Sequence, residues 1–325
     1  MSLTPRIAVV GSYAAGLTMS VARLPGPGET QLGSGYRFEH GGKGSNQAVG
    51  CARLGAHVHF VARIGTDAFG DAALDLYKQE DMDVGNITIT PEAPTGVGFI
   101  MVESASGHNL ISLDPGANGY LSPQDVRRCE KTIASSQVLL TQLEIPVPAA
   151  AEALACARSH GVVTILNPAP AQPLPAEVLR SASIITPNES EARILAGLAA
   201  DADACDKDIA RGLIDRGARQ VVITLGEKGA LVATDQSMVY IPAISIRAVD
   251  TTGAGDAFNA GLAVALACGT GLEAAVRFAV ITGGLAVTKQ GVVPALPHLD
   301  DVLEFHRSAG KPSPGWLAAL QAVGG

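Results

Sequence analysis

The sequence is poor in aromatic and charged residues: Phe, Trp and Tyr together make 4% of its 325 residues, and charged residues make 17%. Few aromatics leave few platforms for stacking bases, and a formal net charge of −8 gives no general attraction for phosphate backbones. Nucleic acid is therefore not an expected partner. Cysteine is also scarce. Cys51, Cys129, Cys156, Cys205 and Cys268 are scattered, odd in number and without C-x-x-C spacing. They read as reduced packing thiols of a cytoplasmic protein, rather than as a disulfide framework or a thiolate metal site. The most apolar stretches, 262–268 and 278–287, fall short of the roughly 18 residues that cross a bilayer. Residues 1–6 lead straight into a short apolar run, Ile7 to Val10, unlike a signal peptide. Neither a membrane span nor export is expected.

Two phosphate-binding signatures are missing as well. A Walker loop needs Gly, four residues, then Gly-Lys-Ser/Thr, but Gly42-Lys43 is followed by Gly44 and preceded by Arg37 at the first glycine position. No G-x-G-x-x-G occurs, which argues against a Rossmann dehydrogenase. A bound nucleotide would need another local device, such as a glycine-rich helix start.

What the chain has is core. Hydrophobic residues make 47% of it, and short β-branched runs alternate with longer Ala- and Leu-rich stretches. Strands at 138–140, 162–166, 184–185 and 221–224 alternate with helices at 148–160, 189–196 and 206–216. That order is βαβ grammar and predicts an α/β fold, a doubly wound, mainly parallel sheet with helices on both faces. Two regions, 18–38 and 96–113, break the rhythm with exposed alternation and suit a small second layer, either covering a cleft or decorating the surface. The core domain is expected over 5–308, with lid segments near 12–40 and 94–114 and a peripheral C-terminal tail over 309–325. His57 and His59 alternate on a strand without a third ligand at matching spacing, so a structural role is expected for them.

Four segments carry chemistry. The first runs from Asp250 through Thr251, Thr252, Gly253, Ala254 and Gly255 to Asp256, ahead of a helix expected over 257–267. Small residues at a helix entrance let a substrate approach the backbone, and the free N–H groups of the first turn suit an oxyanion or a transferring phosphoryl group. Asp256 then stands where a carboxylate takes a hydroxyl proton; the plainer alternative is an acid stabilising the helix dipole. The second, Gly41-Gly42-Lys43-Gly44-Ser45-Asn46-Gln47-Ala48, again leads glycines into a helix, here expected over 46–54. Lys43 offers a point charge and Asn46 a donor and acceptor for hydroxyls, against the alternative of a turn with a cap. The third places Asn188 and Glu191 on one first helical turn, with Glu191 positioned to orient water on magnesium or simply to complete a capping box. The fourth, Thr224-Leu225-Gly226-Glu227-Lys228-Gly229, ends a strand at a turn that either borders a nucleotide or is a bare hairpin.

These segments, in this order and spacing, resemble the ribokinase family, the PfkB carbohydrate kinases. The resemblance runs from Val9-Val10-Gly11-Ser12 to Pro294 and includes Gln142-Leu143-Glu144 and Asn167-Pro168-Ala169-Pro170. It implies an ATP-dependent sugar kinase with Mg²⁺, with Asp256 as base and Gly253, Ala254 and Gly255 as anion hole. By the same resemblance, Gly42, Lys43, Asn46 and Glu144 contact the sugar, Asn188 and Glu191 form the phosphate and magnesium region, and Thr224, Gly226 and Gly229 border ATP. Asp250, Thr252, Ala286, Lys289, Gly291 and Ala295 match a monovalent-cation loop that implies K⁺, with Ala295 replacing a typical serine. The family also implies a β lid that forms a homodimer clasp. Where typical ribokinases carry Asn and Asp to hold sugar hydroxyls, this chain has Ala14 and Gly16, and Val280 replaces a polar residue near adenine. Losing a carboxylate that accepts hydroxyl hydrogen bonds costs about 1.5–3 kcal/mol per charge-assisted bond, so the expected acceptor is a different pentose, a ketose or another polyol. Tyr13, with His40 or Arg63, is expected to rim the enlarged pocket. The alternatives are a nucleoside kinase of the same fold and a sugar-binding regulator without catalysis.

Overall fold

The computed structural model describes residues 4–308 and residue 317. The larger of two sheets has nine strands: β1 (Arg6–Val10), β4 (His57–Gly65), β5 (Ile87–Thr90), β8 (Val138–Thr141), β9 (Val163–Leu166), β10 (Ile184–Ile185), β11 (Val221–Thr224), β12 (Ala230–Ala233) and β13 (Met238–Ile241). Their spatial order is β13-β12-β11-β10-β9-β8-β1-β4-β5, reversing direction outward from β1 as in a doubly wound sheet. Pairing is parallel from β5 across to β11, and antiparallel only for β11–β12 and β12–β13. Strands such as Val138–Thr141 are buried at every position, as a sheet covered on both faces requires. Apolar side chains accordingly form two cores, one on each side of the sheet.

The smaller sheet contains β2 (Ala14–Val21), β3 (Gly33–Gly41), β6 (Gly96–Glu103) and β7 (Asn109–Asp114), in the order β3-β2-β6-β7. It occupies the two segments expected to form a lid. β3 and β7 are largely exposed, whereas β2 keeps Ala15, Thr18 and Val21 buried.

Helices meet the sequence expectation closely except at two glycine-rich starts. The helix expected from 46 begins at Lys43 and runs to Arg53, and the one expected from 257 begins at Ala254 and runs to Ala267. Each N-cap is a glycine at positive φ, Gly42 at 88° and Gly253 at 79°. A Cβ on Gly42 would lie 2.7 Å from the Cα of Tyr13, and one on Gly253 would lie 2.7 Å from a methyl of Val292. Both residues therefore serve a close backbone approach as well as a left-handed turn. The C-terminal tail expected over 309–325 lies outside the described residues except for Leu317, which is buried.

Candidate active site

The ends of β8, β10 and β11 and the starts of three helices, at Lys43, Glu189 and Ala254, carry the predicted residues to one place. Lys43, at the first position of its helix, has three carboxylates in its field: Asp256, Glu144 and Glu191, each from a different segment of the sequence. Burial pulls the Lys43 pKa down, but those three carboxylates outweigh it and leave the ammonium more firmly protonated than a free lysine.

Asp256 is the third residue of the helix Ala254–Ala267 and is 6% exposed. Asn46 Nδ2 donates to its Oδ2 at 2.9 Å, and Gln47 Nε2 donates to its Oδ1 at 2.9 Å. Burial nonetheless raises its pKa above that of an ordinary aspartate; Lys43, Gln47 and Asn46 only partly oppose the shift. Asn46 Oδ1 is buried beside this carboxylate with no partner among the described residues, an acceptor suited to a substrate hydroxyl.

Behind Asp256 runs a closed set of buried amides. Gln47 Nε2 also donates to Asn167 Oδ1 at 3.0 Å, and Asn167 Nδ2 donates to the Thr186 carbonyl at 2.9 Å. Thr186 Oγ1 donates to Asn259 Oδ1 at 2.6 Å, and Asn259 Nδ2 returns to the Gly255 carbonyl at 2.8 Å. Gln142 Nε2 joins by donating to Gln47 Oε1 at 2.5 Å. The circuit thus ties the carboxylate to the helix entrance on which it sits, and so fixes the two relative to each other.

Glu144 is held from the opposite wall. Its Oε2 accepts from Ser12 Oγ at 2.7 Å and from the Lys43 N–H at 2.8 Å. With Ser12, Ala14, Leu113 and Asn118 it lines a cavity of about 280 Å³ under the lid. Asn188 and Glu191 form a full capping box, Asn188 Oδ1 accepting from the Glu191 N–H and Glu191 Oε2 from the Asn188 N–H. The plainer reading of that segment therefore holds, yet it leaves Glu191 Oε1 uncommitted in the field of Lys43 and Asp256. Burial raises the Glu191 pKa, with Asp256 adding and Lys43 opposing. Among the described residues no group of three or more His, Cys, Asp and Glu is placed to hold a metal ion. The residues fit a divalent cation only through water and nucleotide oxygens, with Glu191 at its outer edge.

The Thr224–Gly229 segment is the hairpin between β11 and β12. It adjoins the third segment through a bridge between Asn188 and Thr224, with the Thr224 N–H donating to the Pro187 carbonyl at 3.0 Å. Gly226 and Gly229 both turn at positive φ. The suggested cation loop is also brought together. Asp250 accepts from the Thr252 N–H at 2.9 Å and from the Gly291 N–H at 3.1 Å, and the Lys289 N–H reaches the Ala286 carbonyl. Burial works against the ionised form of Asp250, but those hydrogen bonds prevail and lower its pKa. Ala295 closes the adjoining turn.

A family model described as pfkB family carbohydrate kinase matches residues 4–299. The chain belongs to that family. It is a carbohydrate kinase of the ribokinase fold. It is 40% identical over 299 residues to a ribokinase of Haemophilus influenzae, covering 92% of this chain and 97% of that one. It is 33% identical over 300 residues to a deoxyribokinase of Salmonella typhi, covering 92% and 98%. Among solved structures, an Arabidopsis thaliana ribokinase complexed with ribose and ATP superposes with a TM-score of 0.86 at 30% identity, covering 93% of this chain and 98% of that one.

Two expectations for this pfkB-family chain need correction. Tyr13 does not rim the pocket. Its backbone is clamped by both amide atoms of Asn118, and its ring is fully buried against Tyr77, with Oη 2.9 Å from His40 Nδ1. Arg63 is engaged elsewhere, with Glu92, Asp125 and the Tyr120 carbonyl. Sequence reasoning also passed over the amides Gln47, Gln142, Asn167 and Asn259, although three of them stand inside quoted motifs. A further apolar cavity of about 450 Å³ was missed as well; it is lined by Pro242, Ala243, Ile244, Phe278, Val280 and Ile281. The helix Leu272–Ala286 links that cavity to the start of the helix Ala254–Ala267, since a Cβ on Gly283 would lie 3.1 Å from the Ala254 carbonyl. The only sequence signal for it was Val280.

Proposed function

We propose that this chain transfers the γ-phosphoryl group of ATP to a hydroxyl of a neutral pentose, ketose or related polyol. The observation that carries the reading is Asp256: a buried carboxylate with a raised pKa, held by two amides at a helix entrance, beside the unpartnered Asn46 Oδ1. The acceptor hydroxyl gives its proton to Asp256 as its oxygen attacks phosphorus. The N–H groups of the first turn behind Gly253, with the positive end of that helix, meet the charge on the equatorial phosphoryl oxygens. Lys43 offsets the carboxylates that converge there, so that phosphate can approach. The apolar cavity beside Val280 suits the adenine ring, and Thr224–Gly229 the ribose and phosphates of the nucleotide.

Magnesium on the nucleotide phosphates would supply charge neutralisation, with Glu191 orienting one of its waters. A potassium ion in the loop of Asp250, Thr252, Ala286, Lys289 and Gly291 would add positive charge behind the anion hole. We further infer a homodimer through the lid, which leaves Phe99, Ile111 and Leu113 each more than half exposed, and a cytoplasmic setting, which suits five free cysteines. The test is ADP release over a panel of pentoses, ketoses, polyols and nucleosides, with Mg²⁺ and with K⁺ exchanged for Na⁺. Fast turnover of a neutral polyol or sugar is expected. Turnover confined to nucleosides, or none at all, would overturn the reading.

A further inference from the structure

Two rows of the lid sheet that face the cleft are almost without side chains. Cross-strand partners share a face, and one row runs Glu39–Gly16–Gly98–Leu113 across β3, β2, β6 and β7, with Gly41–Ala14–Gly96 beside it. Ala14 and Leu113 from these rows line the cavity that holds Glu144, so this is the face turned to the acceptor. Leu113 and Glu39 stand three strand spacings apart, about 14 Å, with only glycine between them. Neither Ala14 nor Gly16 offers a polar side chain to a substrate.

Glu39 is the one acidic side chain on this face in the paired rows. Thr18 Oγ1 leans toward its Oε2 at 3.4 Å, and Arg37 Nε lies 3.6 Å from Oε1. The carboxylate also reaches across the cleft: a Cβ on Gly291 would lie 3.8 Å from Glu39 Oε1. Gly291 precedes Val292, whose methyl abuts Gly253 at the anion hole. Glu39 therefore stands over the entrance to the reacting centre, one residue removed from the loop that supports it. Its side chain is about a third exposed, so it is available to a ligand without first breaking a buried contact.

We propose that Glu39 is the specificity-determining residue for the acceptor, holding through its carboxylate a vicinal diol of the sugar. The inference rests on the kinase reading above and narrows its substrate class. The ligand is neutral, because Glu39 and Glu144 face it from opposite sides and would repel a sugar already bearing phosphate. Two hydroxyl donors on one carboxylate are charge-assisted and planar, a geometry that a monohydroxyl end cannot match. The bare floor at Gly16 and Gly98 leaves room for the diol to lie against the backbone.

The experiment compares the unaltered chain with Glu39→Gln on D-ribose, D-fructose and xylitol, each beside its 2-deoxy or 1-deoxy analogue, measuring kcat and KM separately. Melting temperature and the KM for ATP are followed as controls and are expected to stay unchanged. For the best diol acceptor, Glu39→Gln should raise KM tenfold or more with kcat within threefold. For its deoxy analogue, the two proteins should differ by less than twofold. An unchanged KM, or an equal rise for both acceptors, overturns the role of Glu39 and leaves the kinase reading standing. Failure of the unaltered chain to phosphorylate any of these acceptors overturns the kinase reading itself, and this inference with it.

Discussion

The two walls of the cleft are built on opposite principles. On the helix side, Asp256 is over-determined: two amides hold it, a circuit through Asn167, Thr186 and Asn259 returns to Gly255, and every side chain in it is buried. On the lid side, glycine and alanine leave the backbone bare, and the one carboxylate of those paired rows, Glu39, is partly exposed and loosely tied. A proton-transfer step depends on geometry held to a fraction of an ångström, which a buried hydrogen-bond network supplies. Acceptor choice needs only a few reachable polar groups, and it can change by moving one of them between strands. With the proposed roles of Asp256 and Glu39, the difference teaches that the chemistry and the selectivity of this kinase would reside in separate structural units.

The sharpest break in this comparison is Asp256→Asn, which removes the base and keeps the shape. Phosphoryl transfer should fall by roughly 10²–10⁴, with acceptor binding within a fewfold, as single-turnover kinetics and calorimetric binding would show. Next comes Gln47→Leu, which deletes a donor to Asp256 and strands the acceptor on Asn167. We expect a destabilisation of about 1–3 kcal/mol by denaturant melting and a loss of roughly tenfold in kcat. Asn259→Ala should act in the same direction and less strongly, because Asn259 makes no direct bond to Asp256 and reaches it through the Gly255 carbonyl and the Thr186–Asn167–Gln47 relay. The smallest effect is expected on the other wall: Ala14→Ser faces open space and should change stability by less than about 0.5 kcal/mol, shifting acceptor KM while leaving kcat alone. A fall in kcat from Ala14→Ser as large as that from Gln47→Leu would erase the distinction between the walls.

The sequence made the reacting groups legible because each stands at a helix start with a local signal, glycines beside Lys43, Asn46 and Asp256 and a Pro-Asn cap beside Glu191. Lys43, Asn46, Asn188, Glu191 and Asp256 all fall within one helical turn of such a start. The same glycines delayed the expected helix starts by three residues, since Gly44 and Gly255 read as turn residues although both lie inside helices. The amide circuit was not legible for a different reason. Gln47, Asn167 and Asn259 are far apart in sequence, and one buried amide per segment leaves no periodic mark. Glu39 was hidden likewise, because its meaning comes from pairing with Gly16 across strands whose register only the fold sets. Tyr13 was misjudged because its place just before β2 suggested a pocket rim, whereas the Asn118 clamp turns its ring into the core.

The account stands or falls on the base at Asp256, and the pH dependence of kcat/KM probes it most directly. Burial raises the pKa of this carboxylate, and only its ionised form accepts a proton, so activity should be full above that pKa and lost as pH falls through it. The acid limb should therefore lie above the range of an ordinary aspartate, and it should disappear from the residual activity of Asp256→Asn. An acid limb that persists at the same pH in Asp256→Asn would contradict the assignment.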